Sequence, residues 1–235
     1  MMDIAKNVST VMENVARAAE KSGRHAQDIT VIAASKTNDA QRVREAIAAG
    51  ISVCGENRVQ ELLEKKAQGA YEGAQIHLIG QLQKNKVRKI VGEAALIHSV
   101  DSIELMHAIS RCAVEKGIVQ DILLEVNIGG EESKSGFAPA DILAALEKAA
   151  LEPGIKVRGL MTIPPKCSTE DEIKPFFAQM HKLFVDSSGK KYDNVVMDFL
   201  SMGMSADYAA AIACGANMVR VGTAIFGARY YPDVR

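Results

Sequence analysis

The sequence has almost no excess charge of either sign: 28 Lys+Arg stand against 29 Asp+Glu in 235 residues, a formal net charge of −1. That balance excludes the bulk positive field by which a protein grips nucleic acid or an anionic membrane surface, and leaves only local contacts of that kind. Long hydrophobic runs are missing too. The longest apolar uncharged stretch, residues 208–219, is too short to cross a bilayer and is interrupted by Gly215 and Asn217. The first 24 residues carry Asp3, Lys6, Glu13, Arg17, Glu20, Lys21 and Arg24. They lack the apolar centre of a secretory signal, and the expected location is the cytoplasm. Cysteine is scarce: Cys54, Cys112, Cys167 and Cys214 are spread through the chain with no CxxC pair and no histidine at ligand spacing. This argues against zinc and predicts four small side chains packed in or near a core.

The 48% of hydrophobic residues that are present suffice for a full-sized core. They fall into eight short apolar runs: residues 30–35, 51–54, 76–79, 96–100, 122–128, 156–161, 197–200 and 218–221. Most are followed by Gly, Ser, Pro or Asn, as buried parallel strands should be. Between the runs lie helical patterns with recognisable ends. Asp39 can cap a helix carrying Val43 and Ile47, with Gly50 closing it, and Asp101 or Ser102 opens another that ends near Gly117. Residues 141–150 carry an apolar stripe, and residues 171–185 hold Phe176, Phe177, Met180 and Phe184 at helical spacing. Ahead of the first run, Ile4, Val8, Val11, Met12 and Val15 form one face of an N-terminal helix. Eight strands alternating with helices predict an α/β fold, a (β/α)₈ TIM barrel with an extra N-terminal helix, in a single domain over residues 1–235.

In such a barrel, ligands bind at the carboxyl ends of the strands. The first run ends in Ser35-Lys36-Thr37, the second in Gly55-Glu56-Asn57 and the third in Gly80-Gln81. Lys36 follows small and apolar residues, so its amine is expected at the barrel mouth, partly stripped of water. Desolvation favours the neutral amine that Schiff-base chemistry with an aldehyde requires. A salt-bridged lysine at a strand end is the plainer alternative. From the last two strands, Ser201, Gly203 and Ser205 with Gly222 and Thr223 offer hydroxyls and backbone amides suited to a phosphate. Ordinary turns and caps use the same residue types. Arg220 is costly to bury without a partner. With Val219 and Val221 facing the helices it points into the barrel, where it meets either a ligand or an ion-pair partner such as Glu125 or Asp198. His77 and His98 lie within strands and read as hydrogen-bonded core residues. Lys84, Lys86, Arg88 and Lys89 crowd one helix start and read as a solvated face.

Taken together, Ala33-Ala34-Ser35-Lys36-Thr37, Gly55-Glu56-Asn57, His77-Leu78-Ile79-Gly80-Gln81-Leu82-Gln83 with Asn85-Lys86, Val126-Asn127 with Glu132 to Gly136, Arg158-Gly159-Leu160-Met161, Leu200 to Ser205 and Met218 to Arg229 resemble the pyridoxal 5′-phosphate (PLP) homeostasis proteins. Members of that family adopt the barrel of the N-terminal domain of alanine racemases. The resemblance covers nearly the whole chain. It implies that Lys36 carries PLP as an internal aldimine and that Ser201, Ser205, Gly222 and Thr223 surround the phosphate. It also implies that Arg220 faces the ring nitrogen and that Asn57 lies near the ring. The sequence departs from the family pattern at Asn38-Asp39, where Lys-Pro is common, and at Arg58, where tyrosine is common. Both departures flank expected cofactor residues and bear on affinity and exchange rate.

The function implied is reversible PLP binding, with buffering or delivery of the cofactor and no committed reaction. PLP-dependent apoenzymes are the clients, and the protein is expected to be a monomer. Racemisation needs acid–base groups on both faces of the cofactor, and the domain that supplies the second group in alanine racemases is not expected after Tyr231. Tyr230 and Tyr231 are expected to pack as a tail. A weak amino-acid racemase is the alternative, and a cofactor-free Schiff-base aldolase using Lys36 is a third reading. The basic turn at residues 84–89 is a candidate place for a client or a second cofactor molecule.

Overall fold

The computed structural model describes residues 3–228. Asp3 caps the first helix, α1 (Ile4–Lys21), by accepting from the Lys6 amide at 2.9 Å. The helix buries Ile4, Val8, Val11 and Val15 as the spacing predicts. Met12 departs from the expectation: one position after Val11 the helix has turned about 100°, and the side chain is 41% exposed.

Eight parallel strands follow: β1 (Thr30–Ala34), β2 (Val53–Glu56), β3 (Gln75–Leu78), β4 (Leu96–Val100), β5 (Gln120–Val126), β6 (Ile155–Thr162), β7 (Val195–Met204) and β8 (Met218–Val221). They close in sequence order into a barrel, with β1 paired to β8 through Ile32 opposite Arg220. The helices on the outside are α2 (Ala40–Ala48), α3 (Val59–Ala67), the short α4 (Val87–Ile90), α5 (Ile103–Glu115), α6 (Ile142–Ala149), α7 (Glu170–Ser188), α8 (Tyr208–Ala213) and the short α9 (Thr223–Phe226).

Local chemistry places the ends. Asp39 Oδ1 accepts from the Arg42 amide at 2.9 Å to start α2, and Ser102 Oγ, rather than Asp101, accepts from the Leu105 amide at 3.3 Å to start α5. The core has two layers. Strand side chains facing outward, such as Val31, Ala33, Val219 and Val221, pack with the helices. Those facing inward, including Ile32, Ala34, Leu123 and Met161, fill the lumen. Cys54 and Cys112 are buried and Cys167 and Cys214 half-buried, all as free thiols. The largest difference from the sequence reading is β7, which runs on to Met204 instead of stopping at Leu200. Among the described residues no helix is long and apolar enough to cross a membrane.

Candidate functional site

Lys36 stands half-buried just past the end of β1. It lines a cavity of about 330 Å³ together with Thr37, Asn38, Gly222 and Thr223. The backbone around the lysine is tightly held. Among the described residues Thr37 is the one non-glycine with positive φ, 64°, a conformation that costs a β-branched residue on the order of 1–2 kcal/mol. The Thr37 amide donates to Glu61 Oε1 at 2.6 Å, and Asn38 Nδ2 donates to the Lys36 carbonyl at 3.1 Å. Asn38 and Asp39, which depart from the family pattern, both line this cavity.

The β7 and β8 ends are tied to each other beside the lysine. Ser205 Oγ accepts from the Gly222 amide at 3.1 Å and from the Ala224 amide at 3.3 Å. Gly222 and Thr223 therefore join Lys36 in one cavity wall, with Ser205 directly behind them.

Two of the expected phosphate residues make contacts of another kind inside the fold. Because β7 continues to Met204, Ser201 is a mid-strand residue inside the barrel, fully buried. Its hydroxyl accepts from Arg220 Nη1 at 2.7 Å and meets His98 Nδ1 at 3.1 Å. Gly203, expected to let backbone approach an anion, has φ 91°, and a Cβ there would sit 2.5 Å from Ala211 Cβ. Its missing side chain makes room for α8.

Arg220 points into the lumen, as predicted from the outward packing of its neighbours, and is 4% exposed. Besides Ser201 it donates from Nη2 to the Thr162 carbonyl at 2.9 Å. Burial brings its pKa down to about 10, against the opposing fields of Glu125 and Asp207. It therefore stays cationic at neutral pH. Asp198 is not its partner: that carboxylate pairs with Arg158 Nη2 at 2.6 Å, and Asp121 takes Arg158 Nη1 at 2.5 Å.

Asn57 lies apart from the Lys36 cavity. It lines a neighbouring one of about 410 Å³ with Arg58, Gln81 and Lys86. In the basic turn Lys84, Arg88 and Lys89 are exposed, and Arg88 pairs with Glu115 at 2.8 Å. His77 and His98 are buried and hydrogen-bonded to each other at 3.0 Å, as core histidines. Tyr230 and Tyr231 lie outside the described residues.

A buried polar cluster that no sequence motif marks lies behind the lysine. Glu56 Oε1 accepts from Ser35 Oγ at 2.7 Å, Lys65 Nζ at 2.7 Å and Tyr71 Oη at 2.9 Å. Lys65 also bonds the Ser35 carbonyl and Glu61 Oε1, so the cluster reaches the carboxylate that holds Thr37. The i, i+4 spacing of Glu61 and Lys65 on α3 was the one available sign of it.

A closed parallel barrel with a lysine at the end of β1 and a buried arginine on β8 has the build of the alanine racemase N-terminal domain, and the family described by that name matches residues 7–230. Within it, the chain belongs to the pyridoxal phosphate homeostasis protein family. The relative of that name from Aquifex aeolicus is 41% identical over 98% of this chain and 100% of its own length. The solved structure of PipY from Synechococcus elongatus PCC7942 with PLP bound is 36% identical, with a TM-score of 0.78 over 91% of this chain and 100% of that one. An alanine racemase from Clostridium difficile shares the fold at 16% identity, with a TM-score of 0.72 over 97% of this chain and 58% of its own.

Proposed function

We propose that the chain binds PLP through a Schiff base on Lys36 and serves PLP homeostasis, buffering the cofactor or delivering it to PLP-dependent apoenzymes, as a monomer and without a committed reaction of its own. The observation that carries this reading is the one cavity that Lys36 lines together with Gly222, Thr223 and the tightly held Thr37–Asp39 turn. The residues fit the group. A primary amine condenses with an aldehyde, with loss of one water; PLP supplies that aldehyde, a phosphate and a pyridine ring.

In this reading Gly222, Thr223 and Ser205 meet the phosphate. Gly222 adds no side chain to this wall, and a Cβ there would meet the Ala34 carbonyl only at an ordinary contact distance of 3.4 Å. Ser201 serves differently in this reading, as a support for Arg220. Arg220 has only donors, so a ring nitrogen facing it stays unprotonated, which weakens the ring as an electron sink and disfavours turnover. Asn57 approaches the ring from the neighbouring cavity.

The test has two arms. Wild type and Lys36→Ala are titrated with PLP, and the loaded wild type is then incubated with amino acids in deuterated water. The reading expects binding that is lost with Lys36 and no deuterium at the α-carbon. Deuterium incorporation abolished by Lys36→Ala would instead identify a racemase or a related enzyme.

A further inference from the structure

Arg220 is the first member of a hydrogen-bond chain inside the barrel lumen that joins four strands. Arg220 Nη1 on β8 donates to Ser201 Oγ on β7 at 2.7 Å. Ser201 Oγ meets His98 Nδ1 on β4 at 3.1 Å, and His98 Nε2 meets His77 Nδ1 on β3 at 3.0 Å. All four side chains are at most 4% exposed. His77 lines a cavity at the opposite end of the barrel from Lys36, where the strands begin, together with Gln75, Asp121, Arg158 and Phe199.

Proton counting gives the chain one direction. A guanidinium offers only donors, so Ser201 Oγ accepts from it. If His98 Nδ1 also donated to that oxygen, the buried hydroxyl hydrogen would have no acceptor among the contacts it makes. The serine therefore donates to His98 Nδ1, His98 carries its proton on Nε2 and gives it to His77 Nδ1, and His77 carries its proton on Nε2. The arrangement needs both imidazoles neutral. Burial keeps them so, lowering His77 to about 4 and His98 well below its ordinary value, with His77 and Arg220 adding to the effect at His98.

We infer that His98 and His77 are positioning residues for cofactor binding: through Ser201 they lock the Arg220 guanidinium in the orientation that faces the pyridine nitrogen. This rests on the reading that PLP occupies the Lys36 cavity. Without an acceptor at His98, the Ser201 hydroxyl has to turn its hydrogen toward another partner, and its lone pairs no longer meet Arg220 in one fixed geometry. Gln120, also buried on a strand of this barrel, satisfies its amide on the Ala94 and Asp121 carbonyls instead and takes no part in the chain.

The test uses full-length protein loaded with PLP labelled with ¹⁵N in the ring, and compares wild type, His98→Leu, His98→Asn and His98→Gln. An asparagine oxygen stands where Nδ1 stood and still accepts from Ser201, whereas a glutamine places its amide toward His77. The inference expects His98→Leu and His98→Gln to shift the ring-nitrogen resonance and weaken PLP binding by about tenfold, the loss of one buried charge-assisted contact. His98→Asn should keep the wild-type resonance. His77→Leu should move it in the same sense as His98→Leu, by less. If His98→Leu does not fold, Asn against Gln carries the comparison. Identical ring-nitrogen resonances and affinities across the folded variants, with only thermal stability changed, would overturn the inference while leaving PLP binding intact. A wild type that takes up no PLP overturns the parent reading, and this one with it.

Discussion

Lys65 Nζ lies 2.7 Å from Glu56 Oε1, and the two side chains are 7% and 0% exposed. Burial raises the Glu56 pKa, and Lys65 opposes that by charge and hydrogen bonding. Such a pair is expensive to break from one side, because the remaining buried carboxylate keeps only the hydroxyls of Ser35 and Tyr71 and has neither water nor an opposite charge. Lys65→Met should therefore cost about 3–5 kcal/mol in chemical denaturation, and Glu56→Gln combined with Lys65→Met should recover most of it. A double variant no more stable than the single one would show that the lysine's bonds to the Ser35 carbonyl and Glu61, not its pairing with Glu56, hold this wall.

The second prediction separates packing from anion binding at Gly203. The positive φ of 91° and the 2.5 Å approach of a Cβ to Ala211 Cβ leave no space for a methyl group. Gly203→Ala should destabilise the fold by about 1–3 kcal/mol, measured by thermal and denaturant unfolding. PLP affinity of the folded fraction should stay within a factor of about two, a difference well under 1 kcal/mol. A large loss of affinity with unchanged stability would return this glycine to the phosphate site.

A third prediction concerns pH. The carboxyl of Glu125 is pushed up to about 7, first by burial and then by Asp101, against the pull of Arg220. The unfolded chain releases this proton near the ordinary value of 4.5, so between 4.5 and about 7 the folded state binds more protons than the unfolded one. The contribution of Glu125 to stability is full below that window and declines as pH rises through it. Across the window, wild type should lose stability relative to Glu125→Gln. Parallel pH–stability curves for the two proteins would contradict the assignment.

The barrel could be read from the sequence because burial on both faces makes each strand a compact apolar run, and Lys36 could be placed because it directly follows one. The same rule misled at β7. Its apolar run stops at Leu200, but the strand continues through Ser201, since a hydroxyl in the lumen is tolerated once Arg220 and His98 meet it. Gly203 was ambiguous for a related reason: a glycine that admits a helix and one that admits an anion look alike in sequence. Asn57 follows β2 as Lys36 follows β1, but strand order alone does not say which cavity a loop residue enters. The pairing of His77 with His98 and the Glu56–Lys65–Tyr71 cluster join residues from separate elements, and no local spacing encodes them. The left-handed Thr37 was equally hidden, because the Glu61 carboxylate that holds its amide comes from α3.

The central claim is that Lys36 is the covalent anchor for PLP. Its most direct test is borohydride reduction of the PLP-treated protein followed by peptide mass mapping, with Lys36→Ala alongside. The account predicts one dominant phosphopyridoxyl adduct, on Lys36, together with a visible absorption band that the variant lacks. No adduct at saturating PLP, or an adduct that persists undiminished on other lysines in Lys36→Ala, would contradict it.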